Sequence, residues 1–132
     1  MIAADASAIV AFFLKEDGWT SLSEYMKLVM TVDHAIKEFY NAVWKACRVM
    51  NLITPQEVEE IIALFQRYQR TNMIIEPEGD HIEGAFEIAL REGLTVYDSL
   101  YIELAIKKRV PLLTLDEKQK SIGKKLGLET LP

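Results

Sequence analysis

Short apolar segments alternate with amphipathic helical segments along this chain, and that alternation restricts the fold more than any other feature of the sequence. Five short runs read as strands, and no hairpin signal such as Asn-Gly joins any two of them; they lie at residues 1–5, 28–32, 73–75, 110–115 and 130–131. Strands that are separated by helices usually pair in parallel and are covered on both faces. The pattern therefore predicts an α/β fold, a three-layer α/β/α sandwich with a central, mainly parallel sheet. At 132 residues, we expect one domain, residues 1–132.

The segments between these runs carry apolar residues at helical spacing. Predicted helices cover residues 7–14, 19–27, 34–49, 54–70, 81–91, 96–108 and 117–126. Thr54, Pro55 and Glu57 have the order of a capping box with proline in the first turn, so the helix that they begin is well defined. The helices at 19–27 and 54–70 also carry more large apolar residues than one sheet face needs. We expect Trp19, Tyr25, Phe65 and Tyr68 to contribute to an interface between subunits or with a partner.

Four acidic residues, Asp5, Glu38, Asp98 and Asp116, occur at the ends or on the faces of apolar segments, where a carboxylate is costly unless something compensates it. Asp5 and Asp116 each close a strand candidate, whereas Glu38 and Asp98 lie inside helical patterns. Ligands of parallel sheets bind outside the carboxyl ends of the strands, where Asp5 and Asp116 should emerge. Carboxylates gathered there would suit Mg²⁺ or Mn²⁺, which prefer oxygen ligands.

Each acid also has an ordinary structural explanation, and by spacing alone these remain open. Asp5 and Asp116 could each cap the helix that follows them. Glu38 could pair with Lys37 or Lys45 on a solvated face. Asp98 is harder to explain in this way, because bulky apolar and aromatic residues surround it in the sequence TVYDSLYIEL.

Other catalytic chemistries find less support in the sequence. His34 and His81 lie at the starts of predicted helices, where we expect surface or capping roles, and no serine has an obvious histidine partner. The lone cysteine, Cys47, reads as a small core residue. No glycine-rich phosphate-binding loop occurs.

The net charge of −5 conceals an uneven distribution, because seven of the fifteen Lys and Arg residues lie in segment 107–125. Such a basic segment could contact a phosphate backbone, or it could simply keep the end of the chain soluble. Lys15, Lys45, Lys124 and Lys125 are the candidate phosphate contacts.

No apolar run is long enough to span a bilayer, since the longest, Ala8 to Leu14, has seven residues. No basic segment and cleavage site typical of a signal peptide precede it. We therefore expect a cytoplasmic protein without a membrane partner.

The sequence resembles the PIN-domain nucleases, and most closely the VapC-like toxins of prokaryotic toxin–antitoxin pairs. The resemblance rests on three segments in order: AADASAIV, with its Asp and following Ser; EFYNAVWK, with a helical Glu and Asn41 three residues on; and GLTVYDSLYIELAIKKRVPLLTLD. It extends from Ile2 to Leu131, and its most specific part runs from Tyr97 to Asp116.

This resemblance implies an endoribonuclease that depends on Mg²⁺ or Mn²⁺, with Asp5, Glu38, Asp98 and Asp116 as the acidic catalytic and metal-binding residues. Ser7, and likewise Thr114, would hydrogen-bond a carboxylate or a metal-bound water. Members of this kind commonly form homodimers and are inhibited by a small antitoxin protein. RNA would be the substrate.

Two other functions stay open from the sequence. The chain could be a PIN-like module that binds RNA or protein without cutting. A phosphotransfer domain with Asp5 as nucleophile is the weaker alternative, because Ser7 stands where such a motif has a second aspartate.

Overall fold

The computed structural model describes residues 1–132 and contains one five-stranded sheet in which every neighbouring pair of strands is parallel. The strands are β1 (Ile2–Ala4), β2 (Val29–Val32), β3 (Met73–Glu76), β4 (Leu112–Leu113) and β5 (Thr130–Leu131). The helices are α1 (Ala6–Leu14), α2 (Trp19–Leu22), α3 (His34–Arg48), α4 (Pro55–Asn72), α5 (Ile82–Glu92), α6 (Val96–Lys108) and α7 (Glu117–Lys125). The predicted α/β fold with a parallel sheet is confirmed. No helix is long and apolar enough to cross a membrane.

The strand order β3-β2-β1-β4-β5 determines where the helices lie. The chain moves outward from β1 through β2 to β3, and then returns across the sheet to β4 and β5. Right-handed crossovers place α1 to α4 on one face and α5 to α7 on the other. The contacts agree, since α1 packs against α2, α3 and α4, whereas α6 packs against α5, α7 and the central strands.

The change of direction falls between β1 and β4, which are neighbours at the centre of the sheet. The connections from their carboxyl ends leave toward opposite faces, so a crevice opens there. Helix α6 precedes β4 and runs antiparallel to it, which brings the first turn of α6 to the same edge. Residues from α1, α6 and the β4–α7 connection therefore meet although they are distant in sequence.

An aromatic cluster fills the core between the sheet and the first helical layer. Phe39 and Phe65 stack with ring centroids 3.8 Å apart, and Phe13 packs edge-on against both rings. Tyr68 contacts Phe13 and donates its hydroxyl to the Met26 carbonyl at 2.7 Å.

This packing corrects the predicted interface at one residue, Phe65. Phe65 is fully buried, while Trp19, Tyr25 and Tyr68 are only partly exposed. Phe65 therefore cannot contribute to a surface patch, because the α1–α4 layer buries it in its own core. Tyr25 and Tyr68 pack against that core and Trp19 against Phe12, and a contribution of their exposed parts to an interface stays a prediction. The large apolar residues that are exposed lie elsewhere, mainly on α3, on α5 and in the loop after α3.

Two predicted elements are shorter than expected. The helix predicted at residues 19–27 ends at Leu22, and turns follow it. The hydroxyls of Ser21 and Ser23 donate to the carbonyls of Gly18 and Thr20, a local bonding that competes with a regular helix. The predicted strand at 110–115 pairs regularly only over Leu112–Leu113. The capping box at Thr54 and Glu57 forms as predicted.

We expect Phe65→Ala to lower the free energy of unfolding by about 3–5 kcal/mol, because it removes a fully buried ring from the aromatic cluster. The neighbouring Leu64 is 53% exposed, so Leu64→Ala serves as a matched control with a far smaller effect. Urea denaturation of both variants would measure the difference. Equal losses would show that the cluster does not support the fold.

Candidate active site

A cavity of about 340 Å³ opens at the carboxyl edge of the sheet, between β1 and β4. All four acidic residues singled out in the sequence line it: Asp5, Glu38, Asp98 and Asp116. Glu16 adds a fifth carboxylate to the lining, and no lysine or arginine belongs to it. The lining of the cavity thus carries several negative charges and no lysine or arginine to neutralise them.

Asp5 is the most deeply buried of these acids, with 1% of its surface exposed. Its Oδ1 atom accepts hydrogen bonds from the Ser7 hydroxyl at 2.7 Å and from the Ala8 amide at 2.9 Å. Its Oδ2 atom accepts one from the Thr114 hydroxyl at 2.6 Å. Asp5 therefore caps α1 and lines the cavity at once, so the two readings of this residue are compatible.

Burial raises the pKa of Asp5 from its usual 3.8 to about 6, and the nearby Glu38 carboxylate adds to the rise. The hydrogen bonds from Thr114, Ala8 and Ser7 act in the opposite direction, because they stabilise the charged form. Three donors therefore hold this buried carboxylate in a fixed orientation. That arrangement suits a fixed ligand better than the free nucleophile of a phosphotransfer enzyme.

Asp98 and Asp116 are joined by one residue, Gln119, through its side chain and its backbone amide respectively. Asp116 Oδ1 accepts a hydrogen bond from the Gln119 amide at 2.8 Å and so caps α7, while Gln119 Nε2 donates to Asp98 Oδ1 at 3.2 Å. Burial raises the pKa of Asp98, and the negative charge of Asp116 raises it further. The two carboxylates thus repel each other across the cavity while Gln119 holds both in place.

Glu38 is held by partners that differ from those considered in the sequence. The buried Tyr101 hydroxyl donates to Glu38 Oε1 at 2.7 Å, and His34 Nε2 lies 3.0 Å from the same oxygen. Neither Lys37 nor Lys45 forms an ion pair with Glu38, so that alternative is wrong. Burial and the Glu38 charge both raise the pKa of the Tyr101 phenol, which keeps it a hydrogen-bond donor.

The donor set of the cavity suits a hard divalent cation, because every acidic group in it offers carboxylate oxygens. The mutual repulsion and the raised pKa values of Asp5 and Asp98 are the features that a bound cation would relieve. In this structure no group of three or more His, Cys, Asp or Glu side chains is arranged to hold an ion. The acids share a cavity, and a tighter convergence of their carboxylates stays a prediction.

Of the supporting residues named from the sequence, Ser7 and Thr114 contact Asp5, and Asn41 does not reach the site. The Ser7 hydroxyl also accepts a hydrogen bond from the Leu115 amide at 3.0 Å, which ties the end of β4 to the start of α1. Asn41 is exposed on α3 and does not line the cavity.

The four lysines considered as phosphate contacts are placed unequally. Lys45 lines a groove that adjoins the cavity and shares Glu16 and Ala42 with it. Lys15 instead lies over the ring of Trp19, 5.6 Å from its centroid.

Lys124 and Lys125 occupy the last turn of α7, whose first turn is at the cavity, so the length of the helix separates them from the acids. Lys125 also pairs with Glu92 at 2.7 Å. These two lysines are therefore remote from the acidic cavity, and Lys45 is the candidate nearest to it.

Tyr101, Gln119 and His34 are site residues that the sequence reasoning missed. His34 was expected to be a surface or capping residue, yet only 15% of its side chain is exposed and it contacts Glu38 one turn away. Its spacing of four residues from Glu38 was the available signal, and the spacing of three between Asp98 and Tyr101 was another. His81 is also buried rather than superficial.

Comparisons with known proteins show the family to which this chain belongs. The family model described as PIN domain matches residues 2–125. Ribonuclease VapC3 of Pyrobaculum aerophilum is 32% identical over 116 residues, which cover 85% of this chain and 86% of that protein.

Two solved structures share the fold. PAE2754 from Pyrobaculum aerophilum has a TM-score of 0.66 at 21% identity, covering 98% of this chain and 83% of that one. VapC20 of Mycobacterium tuberculosis, a toxin that cleaves the sarcin-ricin loop, has a TM-score of 0.68 at 18% identity, covering 93% and 95%.

We expect Asp5→Asn to be more stable than the parent protein above pH 6 in the presence of a chelator. The native pKa of about 6 exceeds the usual 3.8, so the native state holds the proton more tightly than the unfolded state does. Stability should therefore fall as the pH rises from about 4 to about 6, by roughly 3 kcal/mol at most, and then level off. An amide cannot ionise, so the variant should lose this part of the pH dependence.

Urea denaturation across that pH range would measure the effect, with Asp17→Asn, an exposed acid, as the control. The same pH profile in Asp5→Asn and the parent protein would show that Asp5 does not carry the buried charge.

Proposed function

Since this chain belongs to the PIN-domain family, we propose that it is a metal-dependent endoribonuclease that hydrolyses RNA phosphodiester bonds, and that it acts as the toxin of a toxin–antitoxin pair. The family predicted from the sequence is confirmed by the family match and by the VapC3 relative. We propose further that residues 1–132 form a single nuclease domain.

The observation that supports this function best is the acidic cavity itself. Four carboxylates from four parts of the chain line one cavity whose lining has no basic side chain. Like charges gathered in this way repel one another. Such a cluster commonly binds a divalent cation that acts on a phosphodiester substrate. RNA is the proposed substrate because the VapC3 relative is named a ribonuclease and VapC20 a toxin that cleaves the sarcin-ricin loop.

Asp5, Glu38, Asp98 and Asp116 would hold Mg²⁺ or Mn²⁺. When bound, such an ion supplies positive charge against the phosphodiester and makes water easier to deprotonate. The protein contributes the placement of the ligands.

Each of these acids accepts a hydrogen bond from a neighbouring residue, which fixes the position of its carboxylate. The hydroxyls of Ser7 and Thr114 hold Asp5, and the Tyr101 hydroxyl holds Glu38. The Gln119 side-chain amide connects to Asp98, as its backbone amide does to Asp116. This network limits the reorganisation that the acids need before they can act together.

The groove beside the cavity offers a place for the rest of an RNA strand or for an inhibitor. It is lined by Lys45 and by apolar residues that include Met50 and Leu52, which are 54% and 67% exposed. We propose that Lys45 contacts a phosphate and that an antitoxin segment covers the exposed apolar side chains. The shared wall at Glu16 and Ala42 would let that segment block the cavity.

We also propose a homodimer. Ile82, Phe86 and Leu90 recur every four residues on α5, and they are 41%, 52% and 70% exposed. This spacing places them along one face of the helix. An apolar stripe of this kind favours burial against a second copy, in place of Phe65, which the sequence had suggested.

We expect Asp98→Asn to keep the fold and to reduce RNA cleavage by at least about 100-fold, because the amide preserves the shape but removes a negative ligand. Cleavage by the parent protein should need Mg²⁺ or Mn²⁺ and should stop in excess chelator. Electrophoresis of a labelled single-stranded RNA mixture would measure the rates.

The matched control is Asp80→Asn, which changes an exposed acid outside the cavity and should cleave as the parent does. Full activity of Asp98→Asn, or activity in excess chelator, would refute the catalytic assignment. RNA binding without cleavage under any metal would favour the non-catalytic alternative.

For the homodimer, we expect Phe86→Glu to shift the protein to a monomer at micromolar concentration, because the charge would have to be buried between the two copies. Trp44→Glu is the control, since Trp44 is similarly exposed, at 56%, on a different helix. Sedimentation velocity of the parent and both variants measures the mass. A parent protein that is already monomeric would contradict the proposed dimer and leave the active site unaffected.

A further inference from the structure

An exposed aromatic side chain lies next in sequence to one of the residues that line the acidic cavity. Tyr97 precedes Asp98 in the first turn of α6, and 61% of its surface is accessible to solvent. Its hydroxyl makes no hydrogen bond within the protein. The ring therefore contributes little to the core, although its neighbour in sequence supplies one of the four cavity carboxylates.

A second ring supports Tyr97 from one side. The imidazole of His34 stacks on it with ring centroids 4.9 Å apart and an angle of 16° between the planes. His34 is itself largely buried, and its Nε2 atom lies 3.0 Å from Glu38 Oε1. The same oxygen accepts a hydrogen bond from the Tyr101 hydroxyl. The plane of the Tyr97 ring is thus fixed relative to the carboxylates through a chain of direct contacts.

An exposed tyrosine alone would be unremarkable on a protein surface. The stack distinguishes Tyr97, because His34 occupies one face of the ring while most of the side chain stays exposed, one residue from Asp98. The stack holds the Tyr97 ring in one orientation. A further planar group could stack on the ring in the same orientation.

The charge of the cavity indicates which planar group this surface suits. No lysine or arginine lines the cavity, so a nucleic acid strand that enters it finds carboxylates where its phosphates would prefer cations. Apart from the proposed cation and Lys45 in the adjoining groove, the lining offers the strand no positive group here, so contacts to the uncharged bases would add to its affinity. Stacking on aromatic side chains is the contact that every base can make.

We propose that Tyr97, supported by His34, is a stacking platform for the base of a nucleotide next to the cleaved phosphodiester. The inference rests on the proposed function, since it takes single-stranded RNA as the ligand and the acidic cavity as the place of cleavage. Tyr97 is a binding residue in this proposal, and His34 is a positioning residue that holds the ring plane.

The test compares Tyr97→Leu with Tyr97→Phe, which differ in whether an aromatic plane remains. The probe is a short fluorescein-labelled oligoadenylate, and its affinity is measured by fluorescence anisotropy in Ca²⁺, with the probe checked for cleavage afterwards. We expect Tyr97→Leu to bind about tenfold more weakly and Tyr97→Phe to stay within about twofold of the parent. Trp44→Leu, at an exposed aromatic residue of α3, is the matched control and should bind as the parent does.

A set of probes in which one base at a time is removed separates stacking from a structural effect. In the parent protein, one abasic position should cost about tenfold in affinity, and in Tyr97→Leu the same position should cost almost nothing. Equal losses in both proteins, or equal binding by Tyr97→Leu and the parent, would overturn the platform. Such a result would leave the exposed ring as a contact for a protein.

This measurement is independent of catalysis. A parent protein that cuts RNA while Tyr97→Leu binds normally would refute the platform alone. Base-dependent binding that Tyr97→Leu loses, in a protein that cuts no RNA with Mg²⁺ or Mn²⁺, would support the platform and refute the nuclease. A parent protein that binds none of the probes would overturn the platform.

Discussion

The carboxylate of Asp5 is buried where the two central strands end, and the surrounding structure is arranged around the cost of placing it there. An unpaired charge in such a position is strongly unfavourable, and three hydrogen bonds from Ser7, Ala8 and Thr114 offset only part of that cost. These bonds also join β1, α1 and β4 at the point where the direction of the sheet changes. The group that destabilises the site therefore also fixes its geometry.

The topology explains why acids so distant in sequence share one cavity. Asp5 follows β1 and Asp116 follows β4, and these strands are neighbours only because the chain returns from β3 across the sheet. Asp98 reaches the same edge because α6 runs antiparallel to the strand that it precedes. Glu38 completes the set from α3, on the opposite helical layer. Both helical layers thus contribute to one site, and the alanines of β1 let them pack closely on the central strand.

Much of this arrangement could be predicted from the sequence. Alternating strands and helices predicted the parallel sheet, and apolar surroundings identified the four acids that line the cavity. Ser7 and Thr114 were expected to contact a carboxylate, and both contact Asp5. The long-range partners could not be predicted, because Tyr101 reaches Glu38 across 63 residues and Gln119 reaches Asp98 across 21. The burial of Phe65 within the subunit could not be predicted either, because the sequence of an amphipathic helix shows which face is apolar but not what packs against that face. Lys124 and Lys125 were misleading because their distance from the cavity depends on the direction of α7.

One chain of contacts links the buried part of the site to the exposed ring of Tyr97. It connects charged groups at one end to an aromatic surface at the other. Tyr101 anchors Glu38 from the core, Glu38 contacts His34, and His34 supports the ring of Tyr97. In the proposed function, the carboxylates act on a phosphodiester only with a cation, because their own field repels it. The aromatic ring would instead hold a base by stacking, a contact that does not depend on the charge of the phosphates. Since Glu38 belongs to both parts, a change that moves its carboxylate would alter the geometry of cleavage and the orientation of the bound strand together.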